Sequence, residues 1–393
     1  IIFGGKGDDI LNGGTGCDTY VFNIGDGNDV VYDSHTYYYD ARNDRIKFGE
    51  GITADSVNVR REDNNLIFEY GNGDMVTVKD HFASEYNSIE YVDFEDGTTW
   101  DLAKLTDISR VIKGTDGADE LNGFTGGAYY NTSEIFYAGN GDDIINAYNG
   151  NDTIYAGEGN DTVNAGDGDD IIFGGKGDDV LNGGKGCDTY VFNIGDGNDV
   201  VYDSHTYYYD ARNDRIKFGE GISADSVNVR REDNNLIFEY GNGDMVTVKD
   251  HFASEYNSIE YVEFEDGTIW NLSKLTDISR IVRGTDGNDE LNGFTGGAYY
   301  NISEIFYGGD GDDVINAYNG NDTIYAGDGN DTVNAGDGDD IIYGGKGDDI
   351  LNGGKGCDTY VFNIGDGNDV VYDSHTYYYD ARNDRIKFGE GIS

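Results

Sequence analysis

Proline is absent from the chain, and cysteine, methionine and tryptophan are scarce, at three, two and two residues. Without proline, reversals of the chain fall to residues that reach left-handed backbone conformations, which glycine does at least cost. The three cysteines, Cys17, Cys187 and Cys357, stand one per repeat copy, and an odd total argues against a disulfide framework. Basic residues are also few: 26 Lys and Arg against 77 Asp and Glu give a formal net charge of −51. A surface of that sign repels nucleic acid and anionic lipid, so neither is expected as a partner. No run of about eighteen apolar residues occurs, which excludes a membrane-spanning helix. No leader pattern opens the chain.

What is present is glycine, at 61 residues, and aromatic side chains at 13 %, including 32 Tyr. An unneutralised charge of this size pushes a compact state apart. Two solutions exist: an acidic disordered chain, or a folded one that recruits cations. Disorder goes with few aromatic and β-branched residues. The composition therefore favours a folded chain carrying cations, and 393 residues suggest two or three domains.

Two periods organise the chain. Residues 1–170 recur as 171–340 with 16 differences, mostly conservative, such as Thr53 to Ser223 and Asp93 to Glu263, and a third copy runs to Ser393. The copies begin and end within a motif, so the sequence reads as an excerpt of a longer array. A catalytic centre seldom recurs every 170 residues along one chain, whereas a spacer or multivalent surface often does. Inside each copy lies a period of nine, from Ala138: AGNGDDIIN, AYNGNDTIY, AGEGNDTVN, AGDGDDIIF, GGKGDDVLN, GGKGCDTYV. A displaced unit, IGDGNDVVY, follows at Ile194; GTDGADELN at Gly114 fits, and Gly123 to Tyr137 interrupts the count. Six glycine-rich residues make a turn and three make a strand, so two units return the chain to the same side after eighteen residues. Parallel strands then stack about 4.8 Å apart. Position eight points inward, placing Ile145, Ile154, Val163, Ile172, Leu181 and Tyr190 in a thin core.

The sixth-position aspartates stack too. Asp143, Asp161 and Asp179 share one edge, and Asp152, Asp170 and Asp188 the other. The remaining members of the set are Asp9, Asp18, Asp29, Asp119 and Asp199, then Asp289, Asp313, Asp322, Asp331, Asp340, Asp349, Asp358 and Asp369. Carboxylates at that spacing repel unless a cation lies between them. Carboxylates and turn carbonyls are hard oxygen donors that suit Ca²⁺. Zinc prefers the His and Cys ligands that these loops lack, and magnesium demands stricter octahedral geometry. The expected cofactor is calcium, several ions per array.

These nonapeptides closely resemble the GGxGxDxUx repeat of the repeats-in-toxin (RTX) family of haemolysin-type calcium-binding proteins. The resemblance implies a right-handed parallel β-roll with Ca²⁺ between turns on both edges. It implies bacterial export by a one-step (type I) secretion system, with folding triggered by external calcium. By the family's rule, Asp143 to Asp188 gives at least four sites and Asp313 to Asp358 four more. Ala replaces the first Gly in several units, and Tyr148 and Tyr318 take the second position. Those loops are expected to bind more weakly.

Between the arrays, roughly Asp40 to Lys113, the period changes. SVNVRRE, LIFEY, MVTVKDHF and IEYVDFED read as strands joined by Asp63-Asn64-Asn65 and Gly71-Asn72-Gly73-Asp74 turns, with a brief helix near Asp101 to Leu105. This segment resembles the module that alternates with such nonapeptides in large haemolysin-type proteins. It reads as an antiparallel meander capping one roll and linking it to the next. The expected fold class is all-β: tandem right-handed parallel β-rolls alternating with small antiparallel β-modules in an elongated rod. The expected partition is 1–39 end of a roll, 40–113 module, 114–209 roll, 210–283 module, 284–379 roll and 380–393 start of a module.

Other features divide between sharp and plain readings. Each cysteine sits at the fifth position of a nonapeptide, either as a tolerated free thiol or as a cross-link between exported chains. His35, His81, His205, His251 and His375 are isolated, which favours structural roles over metal ligation. HExxH, GxSxG and EF-hand patterns are absent, and the dense carboxylates are explained by the nonapeptides, so no enzyme is expected. Tyrosines cluster at Ser34 to Tyr39 and Gly127 to Tyr130. At position nine, Asn146, Asn164 and Asn182 line one face while Tyr155, Phe173 and Val191 line the other. These aromatics either pack beneath loops or form an exposed face for association between identical chains, further repeats or sugar rings. The expected function is a calcium-folded structural segment of a secreted or cell-surface bacterial protein: a filament, surface layer or adhesin stalk. The alternatives are a multivalent glycan- or host-binding module, and the calcium-folding tail of a toxin or secreted enzyme.

Overall fold

The structure, a computed structural model, describes residues 1–34, 43–84, 86–125, 129, 131–203, 213–254, 257–295, 299, 301–373, 383–390 and 392. His35, His205, His375, Tyr37 to Tyr39 and Tyr130 lie outside the described residues, as do the expected boundaries near 40, 210 and 380. The chain divides into two compact units, Ile1–Val191 and Phe192–Ser393.

Strands in the nonapeptide arrays are built by alternation. Residues seven to nine of each unit point out, in and out, and the same strand continues through the first three residues of the next unit. Thr153–Glu158 and Ile171–Lys176 are parallel neighbours, with Ile154 opposite Ile172 and Gly157 opposite Gly175. Six-residue strands replace the expected three because the glycine turns also pair from rung to rung. The Gly159 N–H donates to the Lys176 carbonyl at 2.8 Å, and the Gly168 N–H to Lys185 at 2.8 Å. Gly168 shows why that position is glycine: its φ is +147°, and a Cβ would overlap the Gly150 carbonyl oxygen. Tyr148, at a position otherwise taken by glycine, adopts φ +73°, and the preceding strand is confined to Ile144–Asn146.

In the first unit, one sheet of the array runs Val111–Lys113, Ile135–Asn140, Thr153–Glu158, Ile171–Lys176, with Thr189 to Val191 beyond. The other runs Glu120–Asn122, Ile144–Asn146, Thr162–Asp167, Val180–Lys185. Every pairing is parallel. The predicted inward residues Ile145, Ile154, Val163, Ile172, Leu181 and Tyr190 are all fully buried, as are Ala147, Ala156 and Ala165 at first positions.

Upstream in this unit the intervening module extends two sheets of the same kind. Asn28–Tyr32 pairs in parallel with Asp74–Val78, which continues antiparallel to Asn65–Tyr70 and Asn58–Glu62. Thr19–Phe22, Arg45–Phe48 and Tyr91–Asp93 are parallel, and Thr99–Asp101 closes antiparallel. The meander is thus antiparallel within residues 58–78 and parallel where it meets the roll, over a core including Ile46, Phe48, Phe68, Val76 and Phe82. The helix spans Leu102–Ser109, a turn longer than expected. Asp101 caps it by accepting the Lys104 N–H at 2.9 Å, and Leu105 and Ser109, four apart, face inward.

The second unit repeats the pattern. Asp244–Val248 pairs in parallel with Asn198–Tyr202 and antiparallel with Asn235–Tyr240. Leu272–Ser279 is the helix, now capped by Asn271. Its array has Ile281–Arg283, Ile305–Asp310, Thr323–Asp328, Ile341–Lys346, Thr359–Phe362 and Arg385–Phe388 in one sheet. Glu290–Asn292, Val314–Asn316, Thr332–Asp337, Ile350–Lys355 and Val370–Tyr372 form the other. Between them Ile315, Ile324, Val333, Ile342 and Leu351 make the thin apolar core. The chain is nearly all-β, with parallel rolls alternating with the smaller modules. No helix among the described residues is long and apolar enough to cross a membrane.

Candidate metal centres

The glycine turn sets each sixth-position aspartate at a sheet edge with its side chain turned inward. Its backbone N–H donates to Oδ1 of the equivalent aspartate one turn on. On one edge, Asp143 donates to Asp161 and Asp161 to Asp179, both at 2.8 Å. On the other, Asp152 donates to Asp170 at 2.7 Å and Asp170 to Asp188 at 2.9 Å. The second unit repeats both ladders through Asp313, Asp331 and Asp349, and through Asp322, Asp340 and Asp358. One oxygen of each carboxylate is thereby fixed. The other, Oδ2 of Asp143, Asp152, Asp161, Asp170, Asp313, Asp322, Asp331 and Asp340, is buried with no hydrogen-bond partner.

An ionised oxygen in that position is costly until a proton or a cation completes it. Burial pushes the Asp161 carboxyl up to about 6, Asp152 to about 7 and Asp170 to about 8, while the backbone N–H bonds pull the other way. Asp331, Asp322 and Asp340 follow the same order for the same reason. All the ladder donors are oxygens, so the residues present fit a hard cation such as Ca²⁺.

The ladders reach beyond the regular nonapeptides. Asp9 donates to Asp29 at 3.0 Å, Asp119 to Asp143 at 2.7 Å, Asp289 to Asp313 at 2.8 Å and Asp349 to Asp369 at 3.0 Å. Asp199 is buried in the second unit. Three further members escape the nonapeptide pattern. The Glu134 N–H donates to Asp152 at 2.6 Å, so a glutamate inside the irregular Gly123 to Tyr137 stretch holds a sixth position; its signal was a spacing of eighteen from Asp152. The Asp18 N–H donates to Asp44 at 2.6 Å, and the Asp44 N–H to Glu90 Oε2 at 2.8 Å. Those separations, 26 and 46 residues, follow no repeat.

The first rung of the array is completed by protein groups. Arg61, in Asn58–Glu62 of the preceding module, donates Nη1 to Glu134 Oε1 at 2.5 Å and Nη2 to the Gly123 carbonyl at 2.7 Å. Its guanidinium lies over the Phe124 ring, 4.0 Å from the centroid. Burial raises the Glu134 carboxyl, opposed by the Arg61 charge and the Phe124 N–H. On the other edge Asp119 Oδ2 accepts the Thr115 N–H and hydroxyl. Arg231 and Glu304 repeat the ion pair in the second unit.

The isolated residues fall as follows. His81 and His251 are fully buried, burial pushes each down to about 3, and Nδ1 accepts the N–H of Ile89 or Ile259. They are neutral packing groups. Cys17, Cys187 and Cys357 form no disulfide among the described residues. The fifth position carries a second ladder, in which the Asp169 N–H donates to Asn151 and the Cys187 N–H to Asp169. Tyr129 is buried against Phe82 and Phe124, whereas Tyr137, Tyr155 and Phe173 form an outward stack with centroids 5.0 and 4.7 Å apart.

Comparison with known proteins meets this geometry at both kinds of segment. The RTX calcium-binding nonapeptide repeat matches residues 1–20, 130–163, 155–190, 302–333 and 325–360. The haemolysin-type calcium binding protein related domain matches 65–104 and 235–274. Iron-regulated protein FrpA of Neisseria meningitidis serogroup C is 34 % identical over 117 residues, 29 % of this chain and 10 % of that protein. The match thus spans a tenth of the relative's length. Among solved structures, the extracellular lipase LipA from Serratia marcescens aligns over 62 % of this chain and 36 % of that one. At 17 % identity and a TM-score of 0.23, that likeness carries no argument. The chain belongs to the RTX family of haemolysin-type calcium-binding repeat proteins, its nonapeptide arrays alternating with the related domain.

Proposed function

We propose that the sixth-position aspartates hold Ca²⁺ between successive turns on both edges of each roll, several ions per roll, and that calcium drives folding of this segment outside the cell. The observation that carries this reading is the row of buried, unpartnered Oδ2 atoms from Asp143 to Asp170, repeated from Asp313 to Asp340. A cation there would complete oxygens that the protein leaves bare, and the site exists only in the folded chain. Binding and folding are then one equilibrium. Low cytosolic calcium leaves the chain unfolded for export by a one-step route, and millimolar calcium outside folds it.

The role that fits is structural and non-catalytic: a repetitive segment of a filament, surface layer or adhesin stalk, with modules near 40–113 and 210–283 as links between rolls. Recurrence of one architecture with 16 changes in 170 residues supports it. A second reading rests on the aromatic stack. Tyr155 and Tyr325 are each 37 % exposed, and Tyr307, Tyr325 and Tyr343 repeat the stack of Tyr137, Tyr155 and Phe173. Two matching aromatic ladders, with rungs 4.6 to 5.2 Å apart, suit contact with a second copy of this chain.

Asp152→Asn and Asp161→Asn, one on each edge, test the ligand assignment. Each is expected to lower the number of bound ions and to raise the calcium midpoint of folding several-fold. Unchanged ion counts and midpoints would remove these aspartates from the site.

A further inference from the structure

The last nonapeptide before each module departs from the others. Its inward residue is a tyrosine, Tyr20, Tyr190 or Tyr360, instead of an aliphatic side chain, and at Tyr20 and Tyr360, as at Tyr190 with Gly183, the phenol oxygen accepts a glycine N–H, that of Gly13 or Gly353, at 2.8 Å. A Cβ on either glycine would overlap that hydroxyl and Oδ2 of Asp18 or Asp358. The hydroxyl and the carboxylate are thus brought together at the roll's end by the absence of a side chain.

Asp33 completes the arrangement. It lies past Asn28–Tyr32, outside any sixth position, and is 2 % exposed. Neither of its carboxylate oxygens accepts an N–H or O–H from a donor group, its hydrogen-bonding neighbour being the Asp44 carboxyl, and Oδ2 of Asp18 is also buried without a donor. The groups that face Asp33 are the carboxylates of Asp44, Glu90 and Asp18 and the Tyr20 phenol. Burial first, then the charge and hydrogen bond of Asp44, then the charges of Glu90 and Asp18 push it up to about 8. In the second unit Asp358, Asp373 and Asp384 bring one carboxylate oxygen each within 4.8 Å of the others, and the Asp358 N–H donates to Asp384 at 3.0 Å. Carboxylates gathered this closely share either a proton or a cation.

We propose that Asp18, Asp33 and Asp44 form a calcium site outside the nonapeptide pattern, repeated by Asp358, Asp373 and Asp384. Three carboxylates supply up to six hard oxygens, within the range that Ca²⁺ takes. The site ties the end of the roll to the first strand of the module, since Asp44 immediately precedes Arg45–Phe48. It goes beyond the ladder reading because two of its three ligands in each copy lie outside the nonapeptides.

The test is the number of calcium ions bound per chain at saturating calcium, by equilibrium dialysis and atomic emission, for the full chain and for D33N/D373N. The doubly substituted chain should bind two fewer ions, one per altered copy, while keeping the calcium-induced strand content of the rolls. An equal, non-zero count in a folded variant overturns this site and leaves the ladders standing; a wild-type count of zero overturns both. If the variant does not fold, anomalous diffraction from wild-type crystals grown in calcium decides. A peak in bonding distance of Asp33 is expected, and bare carboxylates there overturn the proposal.

Discussion

The Arg61 guanidinium sits 2.5 Å from the Glu134 carboxylate, both side chains buried, and so joins the preceding module to the first rung of the roll. A fixed cation stands at this rung, where later rungs leave a carboxylate oxygen bare. Arg61→Met should destabilise the first unit by about 3–5 kcal/mol, because it strands a buried carboxylate. Lys176→Met, which breaks the exposed pair with Glu158, should have a far smaller effect, because solvent screens that pair. Urea unfolding of both variants at saturating calcium measures the contrast.

The raised carboxyls fix the sign of a pH dependence. Asp161, Asp152 and Asp170 rise from an ordinary 3.8 to about 6, 7 and 8 by burial. Without calcium, the folded state binds more protons than the unfolded one over that interval. Their contribution to stability is then fully present below about pH 4. It is lost as pH climbs through the raised values. In chelator, strand content followed by circular dichroism should fall between pH 5 and pH 8. In calcium the trend should reverse, since protons compete with the ion and affinity rises with pH.

Packing and turn geometry make separable contributions. Ile154→Ala removes a fully buried residue from the thin core and should cost about 2–5 kcal/mol. Gly168→Ala places a methyl group against the Gly150 carbonyl at a positive φ. It should disrupt pairing between those turns, shown by faster hydrogen exchange at the amides of Gly168 and its neighbours.

Much of this was legible because the roll is a local code. A nonapeptide fixes turn, inward residue and aspartate by position, so Ile145 to Tyr190 and both aspartate edges could be read directly. Two things were not. Strands run six residues because glycine turns at one level pair with those at the next, a contact between units that no single unit contains. Asp44 and Glu90 join the ladders through loops of differing length, 26 and 46 residues from their partners, and Arg61 reaches Glu134 across 73 residues. Spacing carries no information about such contacts. The six-position rule identified Asp18 but could not show that Asp33 lies beside it.

The aromatic stack yields a prediction independent of calcium ligation. Tyr155→Ser combined with Phe173→Ser should leave the calcium-induced strand signal intact and reduce association of chains, seen by light scattering at fixed calcium. Equal scattering from the variant and the parent chain would remove this face from assembly.

The central claim is that bound calcium and the folded roll exist together. A calcium titration of the full chain by far-ultraviolet circular dichroism, with a magnesium control and chelator reversal, tests it most directly. The account predicts a cooperative gain of β structure with calcium, none of comparable size with magnesium, and its loss on chelation. A chain already fully folded in chelator at neutral pH would contradict it.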